Sequence, residues 1–280
     1  MPTFPAPTPV PVTIDVPFGD LRVIASERDD VVVTVLPADP AKAGSVRAAE
    51  ETRVERAGDG VAITYPAAWK QYVRPFAAGG AIVTVELPAG SDLSGKAGSL
   101  HAEGRLGTID LALNGGDARV EEADRVDLKV SAGSVVLGRV TGHLNVKANA
   151  GSVRVAEVGG GGTIRASNGT TNIGSLTGSL EVMGANAEIV VGRVRGTFSA
   201  KAAHAGISVA NLESGSVTLA TSYGSIEVGV PAGTAAWLDV ASEHGTVRNQ
   251  LTPTTGPVDD EATAEIHAST GYGDIIVRRP

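Results

Sequence analysis

Two stretches of the chain, Ala132-Gly133-Ser134-Val135 and Ala150-Gly151-Ser152-Val153, decide how the rest is read. Each sets a small residue before an apolar one two places on, and the pattern at Gly133 returns at Gly151. Working outward from them, small-residue anchors recur at Gly98, Gly116, Gly133, Gly151, Gly169, Ala187, Ala205, Gly224, Gly245 and Gly273. The spacing holds at about 18 residues as far as Ala205, then lengthens step by step before Gly224, Gly245 and Gly273. Two places after the anchors stand Leu100, Ala118, Val135, Val153, Thr171, Ile189, Ile207, Ile226, Val247 and Ile275. Four places after them nine of ten residues are apolar, from Ala102 to Val277, with Asn249 as the exception. The position between is mixed, as in His101, Arg119, Arg154 and Glu227. Alternation at period two is the mark of a strand with one buried face. A second alternating run precedes each anchor: Ile109, Leu111, Leu113, then Val126, Leu128, Val130, then Leu144, Val146, Ala148, and later Leu238 and Val240.

A repeat of this length predicts an all-β chain: a right-handed parallel β-solenoid with two short strands per coil of about 18 residues. The small anchor suits a tight turn, often at positive φ. The expected division is an N-terminal β cap over residues 1–90, which lacks the period, and solenoid coils over 91–280, the two continuous with each other. The final long gap holds a loop insertion at 252–261. Arms at 10–16, 21–25 and 31–36 and further strands near 51–56, 61–65 and 81–87 make up the cap. Within it Phe18-Gly19-Asp20-Leu21-Arg22-Val23 echoes the anchor motif. The chain ends Val277-Arg278-Arg279-Pro280, and charge with proline is expected to blunt an open C-terminal edge at Asp274–Val277.

Composition narrows the function. The 280 residues are 42% hydrophobic but only 4% aromatic, so the core is filled by small branched side chains. With 23 basic and 31 acidic residues the net charge is −8, which disfavours nucleic acid and anionic lipid. The absence of cysteine removes disulfides and thiolate metal sites. Residues 1–9 have no basic n-region or apolar h-region, and no run reaches the ~18 apolar residues of a membrane helix. A cytoplasmic protein is the expectation.

The candidate chemistry is sparse. Gly90 to Ala97 mimics a phosphate loop, but Ala97 stands where Ser or Thr would hold magnesium and a strand, not a helix, is expected next. The paired carboxylates Asp29-Asp30, Glu121-Glu122 and Asp259-Asp260 are scattered. His204 and His244 both precede anchors, but the coil bearing Tyr223 is expected between them, too far apart for shared zinc. No catalytic residue, cofactor or metal is assigned, and no enzyme activity is expected. Two features stand out. The column just before the anchors reads Asn168, Asn186, His204, Tyr223, His244, Tyr272, either a structural ladder or a polar–aromatic partner-binding ridge. The loop from Tyr65 to Phe76 gathers Trp69, Lys70, Tyr72, Arg74 and Phe76, either a lid on the first coil or a binding loop.

Five segments together resemble a known family: Phe18-Gly19-Asp20-Leu21, Ala67-Ala68-Trp69-Lys70-Gln71-Tyr72, Val85-Glu86-Leu87-Pro88-Ala89-Gly90, Ala235-Ala236-Trp237-Leu238 and the Gly273-Asp274-Ile275 ending. The chain resembles the actinobacterial β-strand-repeat proteins of the domain of unknown function 4097, nicknamed "putative adhesin". That resemblance spans nearly the whole chain and implies a β-solenoid with no established activity. The leading functional expectation is a non-enzymatic scaffold whose partner is a protein, either another or a second copy. The alternative is end-to-end self-assembly. Behind both stand a polysaccharide-binding or polysaccharide-active solenoid and a cell-surface adhesin.

Overall fold

The computed structural model describes residues 2–66, 79–252, 256 and 261–280. The described residues form an all-β chain with one short helix, in two compact units, 1–138 and 139–280. The loop residues Trp69, Lys70, Tyr72, Arg74 and Phe76 lie outside the described residues, as does most of 252–261.

The first unit contains β1 (Thr3–Pro5), β2 (Pro11–Ser26), β3 (Asp30–Pro37), α1 (Ala43–Glu51), β4 (Arg53–Ala57), β5 (Gly60–Thr64), β6 (Ala81–Pro88), β7 (Asp92–Leu113) and β8 (Ala118–Val130). The strand β9 (Val135–Val140) follows. β2 is parallel to β5, β6 and β7. Its first half pairs with 92–97 and its second with 99–103, the register shifting between Val16 and Asp20. That turn is the Phe18-Gly19-Asp20 echo. Leu21 pairs with Leu100, so Gly19 occupies the anchor position of Gly98. Residues 1–90 thus contribute a coil of their own to the sheet that carries β7, flanked by the antiparallel pairs β1–β3, β3–β6 and β4–β5. The helix α1 is a departure from the expected all-strand cap. Ser45 and Ala48, three places apart, are its buried face, and Ala, Arg and Glu are good helix formers.

The second unit contains β10 (His143–Ala148), β11 (Val153–Val158), β12 (Gly161–Leu176), β13 (Ser179–Ala202), β14 (Ile207–Tyr223), β15 (Ile226–Gly229), β16 (Thr234–His244), β17 (Val247–Asn249), β18 (Ala262–Tyr272) and β19 (Ile275–Arg278). Pairing is parallel at the sequence period. Leu144 faces Gly162, Val153 faces Thr171, Asn168 faces Asn186 and Ile189 faces Ile207, each partner one repeat further along. A register shift after Val194 leaves Glu213 as the extra residue that lengthens the gap before Gly224. The inward positions are buried as the alternation requires: Val153, Val155, Ile189, Val191, Ile226 and Val228 are each fully covered. At Gly169 the backbone has φ +110° and a Cβ would come within 2.3 Å of the Gly151 carbonyl oxygen, so that rung needs glycine.

The last two coils are not stacked in sequence order. β18 pairs with β14 on one side and β16 on the other, and β19 lies between β15 and β17. The terminal strands enter between two coils already laid down. The expected open edge at Asp274–Val277 is therefore wrong: those residues have neighbours on both sides. The end of this unit is β16 and β17, each paired on one side only among the described residues. Exposure agrees, since Leu238 and Val240 are half-buried and Val247 and Asn249 exposed. Nor do the terminal arginines blunt an edge. Arg278 Nε donates to Glu227 at 2.5 Å, and Arg279 donates to the carbonyls of Val230 at 3.1 Å, Thr234 at 3.2 Å and Pro231. They fasten the chain end to the connection between β15 and β16. No helix among the described residues is long and apolar enough to cross a membrane.

Candidate functional site

The residue before each anchor turn cannot point into the core, because the strand ends there and the backbone reverses. Parallel stacking then lines these residues up at one rung, about 4.8 Å, apart. At the first two positions the result is an amide ladder: Asn186 Nδ2 donates to Asn168 Oδ1 at 3.2 Å, and Asn168 Nδ2 donates to the Asn149 carbonyl at 3.3 Å. Farther along, rings replace amides. His204 stacks on Tyr223 with centroids 5.1 Å apart and planes 19° from parallel. Tyr223 stacks on Tyr272 at 5.0 Å and 4°, and Tyr272 on His244 at 4.3 Å and 8°.

All six residues of the column are thus brought together, but not in sequence order. The ladder runs Asn168, Asn186, His204, Tyr223, Tyr272, His244, with Tyr272 paired to Tyr223 on one side and to His244 on the other. Two rungs, not one, separate His204 from His244. Among the described residues no group of three or more His, Cys, Asp or Glu is placed to hold a metal.

The tyrosines keep about half their surface exposed, 51% for Tyr223 and 49% for Tyr272. Both faces of Tyr223 and Tyr272 are covered by neighbouring rings, so what these two offer solvent is their edges and hydroxyls. Beside it run two open troughs of about 440 Å³ each, sharing Ser222. One is walled by Tyr223, Tyr272 and Glu243. The other has small residues such as Ala185 and Ala203 beneath exposed Arg165 and Lys201, which make no hydrogen bond or ion pair among the described residues. The arrangement can bind through ring edges and hydroxyls.

A smaller cluster outside the ladder was not foreseen. The Trp237 ring meets the His267 ring edge-on at 5.1 Å, and His267 contacts Glu265 at 3.0 Å and Asp239 at 3.4 Å. The hydrogen bond to Glu265, and after it the one to Asp239, raises the imidazole above its ordinary value near 6.5. The signal was present as His267 two places after Glu265, but its pairing with β16 required the coil order. The phosphate-loop mimic is structural. Ser91 is buried, its hydroxyl donating to the Pro88 carbonyl at 2.7 Å and accepting from the Val10 N–H at 3.1 Å. The strand β7 follows at once.

The family model described as Toastrack DUF4097 matches residues 12–278. The chain belongs to the Toastrack DUF4097 family. No curated protein matches it. Among solved structures it is similar to a "putative adhesin" from Bacteroides fragilis, with 12% identity, 99% of this chain and 95% of that chain covered, and a TM-score of 0.37. Another "putative adhesin", from Parabacteroides distasonis, shares 12% identity over 98% of this chain and 95% of the other, at a TM-score of 0.30. A "putative cell adhesion protein" from Clostridium sporogenes shares 9% identity over 99% and 94%, at 0.21.

Proposed function

We propose that this Toastrack chain is a non-enzymatic scaffold, built as a right-handed β-solenoid with two short strands per coil, that binds a protein partner along the ridge Asn168–Asn186–His204–Tyr223–Tyr272–His244. The observation that carries this reading is the stack of four rings held in register by backbone pairing. A ladder needs no tyrosine to be stable, since Asn continues it at 168 and 186. Two half-exposed tyrosines flanked by stacked histidines instead form a rigid, amphipathic surface of the residue type that dominates binding hot spots. Rigidity matters because ordering loose side chains on binding costs about 0.5–1.5 kcal/mol each.

The double variant Tyr223→Ser/Tyr272→Ser tests it. Each stacked pair contributes on the order of 1 kcal/mol, so the variant folds with a modestly lower melting temperature. A partner recovered by cross-linking and mass spectrometry from native cells is expected to be lost from the variant. A partner retained by both proteins would place binding elsewhere.

A second reading, self-assembly, is favoured by the one-sided pairing of β16 and β17 among the described residues and the partial exposure of Leu238, Val240 and Val247 there. Unpaired strand edges with apolar rungs add further strands. Light scattering separates the two: self-assembly predicts a mass that rises with concentration and falls back to monomer in Leu238→Lys/Val240→Lys, whereas the scaffold predicts a constant mass for both.

A further inference from the structure

The first unit carries an open groove of about 820 Å³ on the outward face of β2, β7 and β8. Its centre is one register row: Arg22 pairs with His101 and His101 with Arg119, each the third residue after a turn anchor. All three are exposed and alternate with the buried Leu21, Val23, Leu100, Ala102, Ala118 and Val120. At about 4.8 Å per rung the two arginine backbones are about 10 Å apart, with a histidine between them.

The charged groups of this groove differ in what they already hold. Asp20 Oδ1 accepts the Ser99 hydroxyl at 2.6 Å, Asp117 Oδ1 accepts the Ser134 N–H at 2.8 Å, and Glu103 Oε1 lies 3.1 Å from His101 Nε2. Each carboxylate has one internal donor and lone pairs to spare. Arg22 and Arg119 have no hydrogen bond or ion pair among the described residues. A ligand that fits must bring carboxylates to two guanidinium forks and hydroxyl donors to the remaining carboxylate lone pairs. A phosphate polymer brings acceptors only, and leaves the spare lone pairs of Asp20, Glu103 and Asp117 without donors. A neutral glycan leaves both arginines unanswered.

We infer that this groove is a binding site for an acidic oligosaccharide of the uronic-acid class, with Arg22 and Arg119 each taking a sugar carboxylate and Asp20, Glu103 and Asp117 accepting sugar hydroxyls. The site lies on different residues from the ridge and stands independently of it. The probe is trigalacturonate, titrated calorimetrically into the full chain at low salt, with galactotriose and inorganic phosphate as comparisons. Saturable binding of trigalacturonate alone is expected. Arg22→Ala and Arg119→Ala are each expected to weaken it about tenfold, the loss of a charge-assisted pair, with melting unchanged because both side chains are exposed. Arg119→Lys, which keeps the charge and loses the fork, falls between. The inference is overturned if trigalacturonate does not bind, if galactotriose or phosphate binds as tightly, or if the alanine variants bind like the parent.

Discussion

Val155→Asp is expected to unfold the coils around β11, at a cost on the order of 4 kcal/mol, while Arg154→Asp one residue earlier changes stability by no more than about 0.5 kcal/mol. Val155 is fully buried and pairs with Ile173, itself 2% exposed. A carboxylate there either stays charged without a counter-ion or binds a proton and leaves its hydroxyl unpaired. Arg154 pairs with Asn172 on the outward face and is exposed. The comparison isolates the in/out register, because the two sites share strand, rung and introduced residue. Urea denaturation of both variants measures it. Similar losses would mean that the alternation has been read on the wrong face.

The second large effect concerns a buried ring. Phe198 is fully buried and pairs with Val217, and the other buried apolar residues among those described are Val, Ile, Leu and Ala. Close parallel stacking fixes the spacing of the rungs, so neighbouring coils cannot move in to fill the space a ring vacates. Phe198→Ala is therefore expected to cost about 3–5 kcal/mol, from lost transfer free energy and the remaining cavity. Trp237 is larger but 57% exposed on the end strand, and Trp237→Ala is expected to cost less than about 1 kcal/mol. Thermal melting of the two variants ranks them, and an equal or reversed ranking would contradict the burial described.

Much of this was legible in the sequence for one reason. The small anchor and its apolar positions two and four places later describe local geometry, and a parallel stack repeats local geometry at every rung. Hence Val153, Ile189 and Ile226 were identifiable as core, and Val247 departs from burial on a strand that, among the described residues, is paired on one side. The echo at Gly19 carried the same information. Counting three places on from Gly19, Gly98 and Gly116 gives Arg22, His101 and Arg119, the row at the centre of the groove. What the sequence could not supply was coil order near the end. Backbone hydrogen bonds are indifferent to side chains, and Ile275 has the same in/out pattern whether it follows β17 or slips between β15 and β17. The lengthened gaps before Gly245 and Gly273 permit either. The helix α1 escaped because residues 1–90 lack a period against which an interruption would show.

The order of the ladder is also the point on which the ridge depends, and the chain's lack of cysteine makes it directly testable. Neighbouring rungs lie about 4.8 Å apart, within the roughly 4.4–6.8 Å that a disulfide spans between Cα atoms, and alternate rungs about 10 Å apart lie beyond it. Three double variants are oxidised and their free thiols counted. Tyr223→Cys/Tyr272→Cys and His244→Cys/Tyr272→Cys are predicted to form intramolecular disulfides, and Tyr223→Cys/His244→Cys to keep both thiols free. A disulfide in the last pair with free thiols in the first would put the coils in sequence order and contradict the four-ring ladder.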